Sequence, residues 1–377
     1  MKRISGGTVT GNTGATVSAA VLAVFTFGTL VAPPPAVAQN ITIQALNPAA
    51  GEFPEAVALS ADGGTLYSGF FLSGVVQGFR TDTLARTTSV AVPAPLGIAR
   101  DRNGDMLVAT APWFRDQLTG GSSGVPQDQG VWRVTAAGVA NRVAVLPFVG
   151  VLPNALATDS VGNIYVADLL GDALYRVDTV GTVSVWAQSS LLAGDPSSDP
   201  SSPTAGFPLG GNGVQVRGST LYVSNTDYGR ILAIPINADG SAGAISTYLQ
   251  SDRLIGLDGF DMDDFGTVYG ANIITSELVR ADPSGAIITL AGPNDGLSST
   301  TGVAINSTSN PSSLYFSNFS IPVPFLTSVN QPGVGRLSLS PTVVPEAHTL
   351  GLSLLGAAYL TGTVILRRRR ARRVTAL

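Results

Sequence analysis

Six related segments of this chain each begin with one residue that is followed by Ala or Gly and then by an alternating stretch of sequence. In chain order, these first residues, called the column below, are Glu55, Leu96, Asn154, Asn212, Asp258 and Thr301. Two carboxylates and two amides among them carry oxygen atoms. Oxygen ligands favour Ca²⁺, Mg²⁺ or Mn²⁺ over zinc or copper. If the fold brings the column together, it forms a candidate site for a hard divalent cation.

Turn chemistry is the structural alternative for part of this pattern. Asn-Gly and Asp-Gly pairs form turns through backbone geometry alone. That explanation is sufficient for Asn212 and Asp258, which both precede Gly. It does not explain Glu55 and Asn154, because both precede Ala. The cation site therefore stays the stronger interpretation of the four positions taken together.

The composition excludes most other catalytic groups. The chain has no Cys, its one His is His348, and its one Lys is Lys2. Both of these residues lie in terminal segments. The part between them therefore has no imidazole for a Ser-His-Asp triad or a zinc site, and no Schiff-base or P-loop lysine. Carboxylates, amides, hydroxyls, Arg and an oxygen-bound metal ion remain.

The elements that position the column follow from a repeat. A first strand, a turn rich in Asp, Asn and Gly, and a second strand ending in Tyr-Val or similar recur six times, as in PNALATDSVGNIYVAD from Pro153. A third strand follows, and in most repeats a fourth, as in ALYRVD from Ala173 and TVSVWA from Thr182. Four antiparallel strands repeated at about 40–60 residues are typical of a β-propeller. The Asp-rich turns at 101–104 and 263–266 fall at the far end of the first strands and are predicted to be structural.

We therefore predict an all-β fold, a six-bladed β-propeller over residues 39–341, whose first strands line a central channel. The sixth repeat lacks a fourth strand, and the alternating segment Asn40–Leu46 can supply it. This N-terminal strand would close the last blade and so remove exposed sheet edges. An open β-sandwich or two small domains is the alternative, which six in-phase repeats disfavour.

The charge of this predicted domain is strongly negative. Residues 39–341 contain 13 Arg and no Lys against 24 Asp plus Glu, a net charge of −11. An acidic surface disfavours nucleic acid and anionic membranes as partners. It favours cations.

The N-terminal segment, residues 1–38, is predicted to be a signal peptide. Lys2 and Arg3 precede an apolar stretch from Val17 to Ala32, and Ala36-Val37-Ala38 then precedes Gln39. This is the order of regions in a secretory signal, with cleavage expected after Ala38. A transmembrane anchor is the alternative, but Pro33-Pro34-Pro35 interrupts the short apolar stretch.

The C-terminal segment, residues 342–377, is predicted to hold a transmembrane helix at 350–366. Six Arg residues between 367 and 373 follow it directly and would keep that end in the cytoplasm. The order of Pro345-Glu346, one short helix and an Arg cluster resembles the PEP-CTERM sorting signal, although Ala347 stands where a second proline is usual. The resemblance implies recognition and removal of the tail by an exosortase. A simple tail anchor is the alternative. In both cases we expect an exported domain that lies in the periplasm, at the cell surface or outside the cell.

Six blades with an ordered Glu, Asn, Asn, Asp set at the starts of the first strands resemble the gluconolactonase/regucalcin/luciferin-regenerating enzyme family. Paraoxonase and diisopropylfluorophosphatase share this type of site. The resemblance implies a divalent ion, Ca²⁺ above all, bound by Glu55, Asn154, Asn212 and Asp258. Asp258 would also be the catalytic base or nucleophile, and Asn154 and Thr301 would contact the substrate. The expected function is metal-dependent hydrolysis of a lactone or a phosphotriester-like ester.

Two departures from the family make a sugar lactone a doubtful substrate, and the expected substrate is a less polar one. The family has an Arg and an Asp flanking the Asn of the third blade, whereas this chain has Leu152-Pro153-Asn154-Ala155. The paraoxonase-type catalytic His is missing as well. Long loops at 111–129, 188–210 and 319–333 are expected on the column side, with aromatic residues that could wall an apolar pocket. These residues are Trp113, Phe114, Phe207, Phe319 and Phe325.

A second function stays open from the sequence. The sorting tail favours a non-catalytic propeller, similar to NHL proteins, that binds polysaccharide or protein in an extracellular matrix and holds at most a structural metal ion. The oxygen atoms of the column favour the hydrolase, because a scaffold does not need two carboxylates opposite two amides. A condensing activity like that of strictosidine synthase has no supporting residue in this chain.

Overall fold

The structure is a computed structural model that describes residues 40–121, 128–147, 150–197, 204, 206–305, 313–321 and 331–339. The predicted signal peptide, the C-terminal tail and Phe325 lie outside these residues. Within the described part of the chain, no helix is long and apolar enough to cross a membrane.

In the described residues, twenty-four strands form six four-stranded antiparallel sheets, which are the six predicted blades. The first strand of the chain is β1 (Ile41–Ala45). Blade 1 follows with β2 (Pro54–Leu59), β3 (Thr65–Phe70), β4 (Val75–Arg80) and β5 (Arg86–Ala91). Blade 2 has β6 (Pro95–Arg100), β7 (Met106–Thr110), β8 (Gly130–Val134) and β9 (Ala140–Val145). Blade 3 has β10 (Pro153–Thr158), β11 (Ile164–Asp168), β12 (Ala173–Val177) and β13 (Val183–Gln188).

The second half of the ring repeats the same order. Blade 4 has β14 (Gly211–Arg217), β15 (Thr220–Asn225), β16 (Arg230–Pro235) and β17 (Ser246–Gln250). Blade 5 has β18 (Leu257–Met262), β19 (Val268–Asn272), β20 (Glu277–Ala281) and β21 (Ile287–Ala291). Blade 6 has β22 (Thr300–Ile305), β23 (Ser313–Asn318) and β24 (Gly333–Ser338). An α-helix, α1 (Pro112–Thr119), and 3-10 helices at Pro48–Ala50, Asp252–Leu254 and Pro293–Asp295 lie in the described connections.

The N-terminal strand closes the ring, as the sequence predicts. Strand β1 pairs antiparallel with β24, from Ile41 opposite Leu337 to Ala45 opposite Gly333, and so becomes the fourth strand of blade 6. Blade 6 is therefore built from both ends of the propeller sequence. This pairing gives β24 a partner on its outer side and makes β1 the outer edge of the blade.

Apolar side chains fill the space between neighbouring blades. Six buried clusters each combine residues of two adjacent blades. Between blades 1 and 6, for example, Phe70 and Phe79 pack in one cluster with Val334. Burial of apolar surface at every blade contact holds the ring together without disulfides.

The two ends of the channel differ in the connections they carry. The hairpin face, where the first strands end, carries the turns between first and second strands. At these turns Asp101 Oδ1 accepts hydrogen bonds from the Asn103 and Asp105 N–H groups at 2.7 and 3.0 Å. Asp263 Oδ1 accepts equivalent bonds from Phe265 and Thr267 at 3.0 and 2.9 Å. Both Asp residues are turn residues, as predicted. The loop face, where the first strands begin, carries the longer connections.

Candidate functional site

The column residues occupy the same place in every blade. Each is the second residue of the first strand. Five of them, the polar column, line one cavity of about 460 Å³ that runs along the first strands of all six blades. These five are Glu55, Asn154, Asn212, Asp258 and Thr301. Leu96, the sixth, belongs instead to an apolar cluster on the loop face.

A β-bulge at each column position aims these side chains. In blade 1, Pro54 pairs with Phe70 and Val57 with Ser68, so two residues of β2 oppose the single residue Gly69. The same register shift occurs between the first and second strands of all six blades. A bulge of this kind bends a strand and redirects a side chain. The residue opposite each bulge is small: Gly69, Ala109, Ala167, Ser224, Ala271 or Ser317. This small residue is a signal for the bulge that is already present in the sequence.

The small residue after each column position allows neighbouring first strands to approach closely. A Cβ atom on Gly259 would lie 2.5 Å from the Thr301 carbonyl oxygen, and one on Gly213 would lie 2.7 Å from the Asp258 carbonyl oxygen. A Cβ atom on Gly97 would overlap the Asn154 carbonyl oxygen. The column therefore sits where backbones of adjacent blades are almost in contact, as the sequence predicted.

The two carboxylates of the column are buried close to each other. Glu55 and Asp258 are each 5% exposed. Burial raises the pKa of Glu55 to about 7, against a hydrogen bond from Asn154 that lowers it. Burial and the negative charge of Glu55 raise the pKa of Asp258 well above its usual range, against hydrogen bonds from Asn212 and Gly259. Within the described residues, no Arg forms a salt bridge with either carboxylate.

The two amides of the column are joined to each other and to the next blade. Asn154 Nδ2 donates a hydrogen bond to Asn212 Oδ1 at 2.8 Å, and Asn212 Nδ2 donates to Thr226 Oγ1 at 3.0 Å. Thr226 Oγ1 donates in turn to the Leu257 carbonyl oxygen at 2.9 Å. These bonds fix both amides beside the carboxylates. Thr226, which the sequence analysis missed, follows the second strand directly and orients Asn212.

The hydroxyl of Thr301 forms part of the contact between blades 6 and 1. Thr301 Oγ1 donates a hydrogen bond to the Glu55 carbonyl oxygen and lies 3.1 Å from Ser317 Oγ. Ser317 Oγ donates to the same carbonyl oxygen at 2.7 Å. The two hydroxyls therefore fix the backbone of Glu55. Ser317 was not recognised from the sequence, although it is one of the small residues opposite the bulges.

The last residue of the second strand positions the loop-face connections. Asn272 Nδ2 donates to the Ile255 carbonyl oxygen at 2.7 Å, and its Oδ1 accepts from the Ile274 N–H at 3.0 Å. Asp168, at the equivalent place in blade 3, accepts from the Leu152 N–H at 2.9 Å. Asn225 and Asn318 bond to loop backbone in the same way. These buried polar residues are structural and lie outside the polar column.

Aromatic side chains of the long loops pack against one another above the column. They join an apolar cap to which all six blades contribute, with Trp113, Phe114 and Phe207 half-buried on it. Its buried members are Phe53, Phe71, Ala94, Leu96, Ala111, Leu152, Leu169, Leu209, Ile273, Phe319 and Ile321. Most of these residues directly precede a first strand or follow a second strand, so the cap lies on the loop face. The sequence predicted that the aromatic residues would wall an apolar pocket, whereas the described ones fill that space with their own rings.

The donor chemistry of the column fits an oxygen-binding divalent ion. Burial raises the pKa values of both carboxylates, the charge of Glu55 adds to the rise at Asp258, and a divalent cation between them would offset both effects. Two amides add neutral oxygen atoms. The described residues contain no group of three or more His, Cys, Asp and Glu side chains that could bind a metal ion, so any site here depends on the amides. That mixture suits Ca²⁺ better than Zn²⁺.

Fold and column together define a six-bladed propeller whose first strands bring five polar side chains to one cavity. A luciferin-regenerating enzyme superposes with a TM-score of 0.57 at 12% identity, over 80% of this chain and 96% of its own. Regucalcin from Agrobacterium tumefaciens, described as a calcium-binding protein, superposes with a TM-score of 0.56 at 17% identity, over 79% and 93%. A gluconolactonase from Xanthomonas campestris gives 0.53 at 16% identity, over 81% and 99%.

These likenesses establish the fold, which is the one that the resemblance in the sequence implied. No protein-family model matches the sequence, and no curated protein matches it either. Roles of individual residues therefore have to be argued from this chain's own geometry.

Proposed function

We propose that this protein binds a divalent cation, Ca²⁺ above all, at the polar column and hydrolyses a small lactone or ester there. The observation that carries the proposal is the pair of buried carboxylates, Glu55 and Asp258, which line one cavity and form no salt bridge with an Arg of the described residues. Two like charges in a buried site are costly unless a cation or protons neutralise them. The solved structures that share the fold include a calcium-binding protein and a gluconolactonase, which supports this choice.

Each residue of the column has a proposed role. Glu55, Asn154, Asn212 and Asp258 would hold the ion through their side-chain oxygen atoms. The ion, when bound, would polarise a carbonyl or phosphoryl oxygen of the substrate. Asp258 would act as the base or nucleophile, because burial and the charge of Glu55 raise its pKa and so make its carboxylate more basic. Asn154 and Thr301 would contact the substrate, and the bond from Thr301 to Glu55 also fixes one ligand.

A binding protein with a structural ion is the second candidate, and the apolar cap favours it. The cap fills the face on which the long loops were expected to form a pocket. A propeller of this kind would use its outer surface to bind matrix polysaccharide or protein. Turnover of a substrate separates the two candidates, because both include a bound cation.

The test is calcium binding by the purified protein and by two isosteric variants. Asp258→Asn removes one carboxylate charge from the column. Asp168→Asn removes one equally buried carboxylate from the end of β11, where blades 4, 5 and 6 already have Asn. We expect Ca²⁺ to raise the Tm of the wild type and of Asp168→Asn, and Asp258→Asn to lose about 100-fold in affinity, which is about 2.7 kcal/mol.

Calorimetry with Ca²⁺, Mg²⁺ and Mn²⁺ gives the affinities. Hydrolysis of lactones and phosphotriesters with and without chelator then tests the reaction. Equal calcium affinity in both variants, or no binding by the wild type, contradicts the metal site. Binding without turnover of any ester favours the structural ion.

We also propose that the propeller works outside the cytoplasm, with an exosortase-type enzyme and the membrane as partners of its tail. The support is the arrangement of residues 1–38 and 342–377 in the sequence. The intact mass of the protein recovered from an exporting cell should correspond to a chain that begins at Gln39. A mass that includes residues 1–38 contradicts the signal peptide.

A further inference from the structure

The apolar cap lies over the channel on the loop face. Phe71 of blade 1 contacts Phe114 of helix α1 with ring centroids 5.8 Å apart, and Phe114 stacks on Phe207 at 6.3 Å. Phe207 lies just before blade 4, and blades 1 and 4 are opposite each other in a ring of six. Phe319 of blade 6 contacts Phe71 at 6.4 Å. These rings belong to the one apolar cluster to which all six blades contribute, including Leu96 of the column, so the cap lies over the loop-face end of the channel.

At its other end, the described residues leave the channel in contact with solvent. The cavity that contains the polar column extends along the first strands to Arg100, Arg217 and Asp261. It also includes residues 60–63, which form the turn between β2 and β3 on the hairpin face. Ala61 and Asp62 in this turn are exposed. Among the residues that the structure describes, one continuous space therefore joins the polar column to solvent on the hairpin face.

Charged and polar side chains at this end are held in place by neighbouring strands. Gln215 Nε2 donates to the Phe260 carbonyl oxygen at 3.0 Å, and Asp261 Oδ2 accepts from the Ile305 N–H at 2.9 Å. Arg217 lies 3.4 Å from Asp261 Oδ1. Because these bonds join three adjacent first strands, the polar groups form part of the channel wall. An apolar ligand would have to strip water from them on its way in.

We propose that ligands reach the polar column from the hairpin face, through the channel, and that the site takes small hydrophilic molecules. This inference rests on the proposed function and specifies its substrate class: a hydrated cation, water and a compact polar lactone or ester. A cavity of about 460 Å³ is near the lower end of the range for ligand pockets, about 300–1,000 Å³. Bulky apolar esters are excluded on both sides, by the cap and by the narrow polar channel.

Cysteine labelling tests the route, because the natural chain has no Cys. Ala155→Cys places one thiol on the channel wall, next to Asn154. In this background, Thr158→Trp obstructs the hairpin-face end of the channel, and Phe114→Ala removes a ring from the cap. Thr87→Trp, on the exposed outermost strand of blade 1, is the control for adding an indole. Reaction rates are measured with a small cationic methanethiosulfonate and with a bulky dye maleimide, in folded and unfolded protein.

We expect the small reagent to label folded Ala155→Cys and Thr158→Trp to slow it by about tenfold or more. Phe114→Ala and Thr87→Trp should leave the rate within about twofold, and the bulky reagent should react only after unfolding. Circular dichroism shows whether Thr158→Trp is folded, and Arg217→Trp replaces it as the obstruction if it is not.

The route is overturned if the thiol is unreactive in the folded protein, if neither obstruction slows labelling, or if Phe114→Ala accelerates it. Labelling needs no metal ion, so its result is separate from that of the calcium titration. Labelling through the hairpin face without calcium binding keeps the route and contradicts the proposed function. Calcium binding combined with labelling through the cap supports the metal site of the proposed function and contradicts the route.

Discussion

At the scale of single residues, the protein concentrates negative charge where its backbones are closest. Glu55 and Asp258 come from blades that are not adjacent, yet the charge of Glu55 raises the pKa of Asp258. The hydrogen bonds from Asn154 and Asn212 only partly offset the burial of the two acids. Protons and a divalent cation therefore compete for the same oxygen atoms, and this competition should be visible as a pH dependence.

The first prediction concerns the stability of the metal-free protein. The pKa of Glu55 is raised from 4.5 to about 7 in the folded state, so the stabilisation from its bound proton is complete below pH 4.5 and is lost as pH rises through 7. Over that window the free energy of unfolding should fall by up to about 1.4 kcal/mol per pH unit for one proton. Glu55→Gln should flatten the fall and be more stable than the wild type at pH 8 in chelator.

Denaturant unfolding at several pH values, with chelator and with excess Ca²⁺, measures this effect. Calcium should abolish the fall in the wild type. Glu52→Gln is the control of opposite sign, because Arg86, at 2.5 Å, lowers the pKa of Glu52 and stabilises the folded state at neutral pH. The prediction is contradicted if the free energy of unfolding of the metal-free wild type rises between pH 5 and 8 and follows that of Glu55→Gln. In that case the pKa of Glu55 is not raised by burial in the folded protein.

At the scale of elements, each first strand combines a bulge with a small residue. The bulge turns the column side chain, and the small residue lets the next first strand approach. Blades 1 and 3 accept Ala at this place, as Ala56 and Ala155, whereas Gly97 has the Asn154 carbonyl oxygen where its Cβ would be. The allowed side chain therefore depends on the neighbouring blade as well as on the strand itself.

The second prediction concerns Gly97. It follows Leu96, the column residue without a side-chain oxygen, so its substitution does not alter a residue next to a proposed ligand in the same strand. Gly97→Ala should destabilise the protein by about 1–3 kcal/mol, because the added methyl group must push two first strands apart. Gly64→Ala is the control, since its Cβ would meet only Asp62 side-chain oxygen atoms, at an ordinary 3.4 Å. Thermal unfolding of the two variants gives the comparison, and equal Tm values for both would show that the blades are not in tight contact there.

At the scale of the whole molecule, the ring depends on one N-terminal strand. Strand β1 completes blade 6, and its half-buried Ile41 and Ile43 pack on the cluster between blades 5 and 6. On the loop face, where the first strands begin, the apolar cap joins all six blades. The inner ends of the blades are therefore held by apolar packing over the channel, and the outer edge of the last blade by a strand pairing.

The third prediction tests this closure. Replacing Ile41 and Ile43 together by Ser should cost about 2 kcal/mol, since each half-buried side chain gives up part of its transfer free energy. The amides of β24 should then exchange with solvent faster than those of the other blades. Thr42→Ser, at an exposed position of the same strand, should change neither quantity. Unchanged protection of β24 in the double variant would mean that β1 is not needed to close the ring.

The sequence by itself determined the number of blades, the closing strand and the identity of the column residues. These features are repeated or local: alternation along a strand, Gly in a turn, and a polar residue before a small one. The roles of Asp101 and Asp263 could also be predicted from the sequence, because an Asx turn involves only a few consecutive residues.

Only the tertiary structure decided which of these residues interact and which face is open. Burial raises the pKa of both acids, Glu55 in blade 1 raises the pKa of Asp258 in blade 5 further, and the Thr301 hydroxyl meets a backbone 246 residues away. Phe114 and Phe207 could equally well have lined a pocket or filled one. Their packing over the channel depends on distances between blades, and a one-dimensional pattern carries no information about those distances.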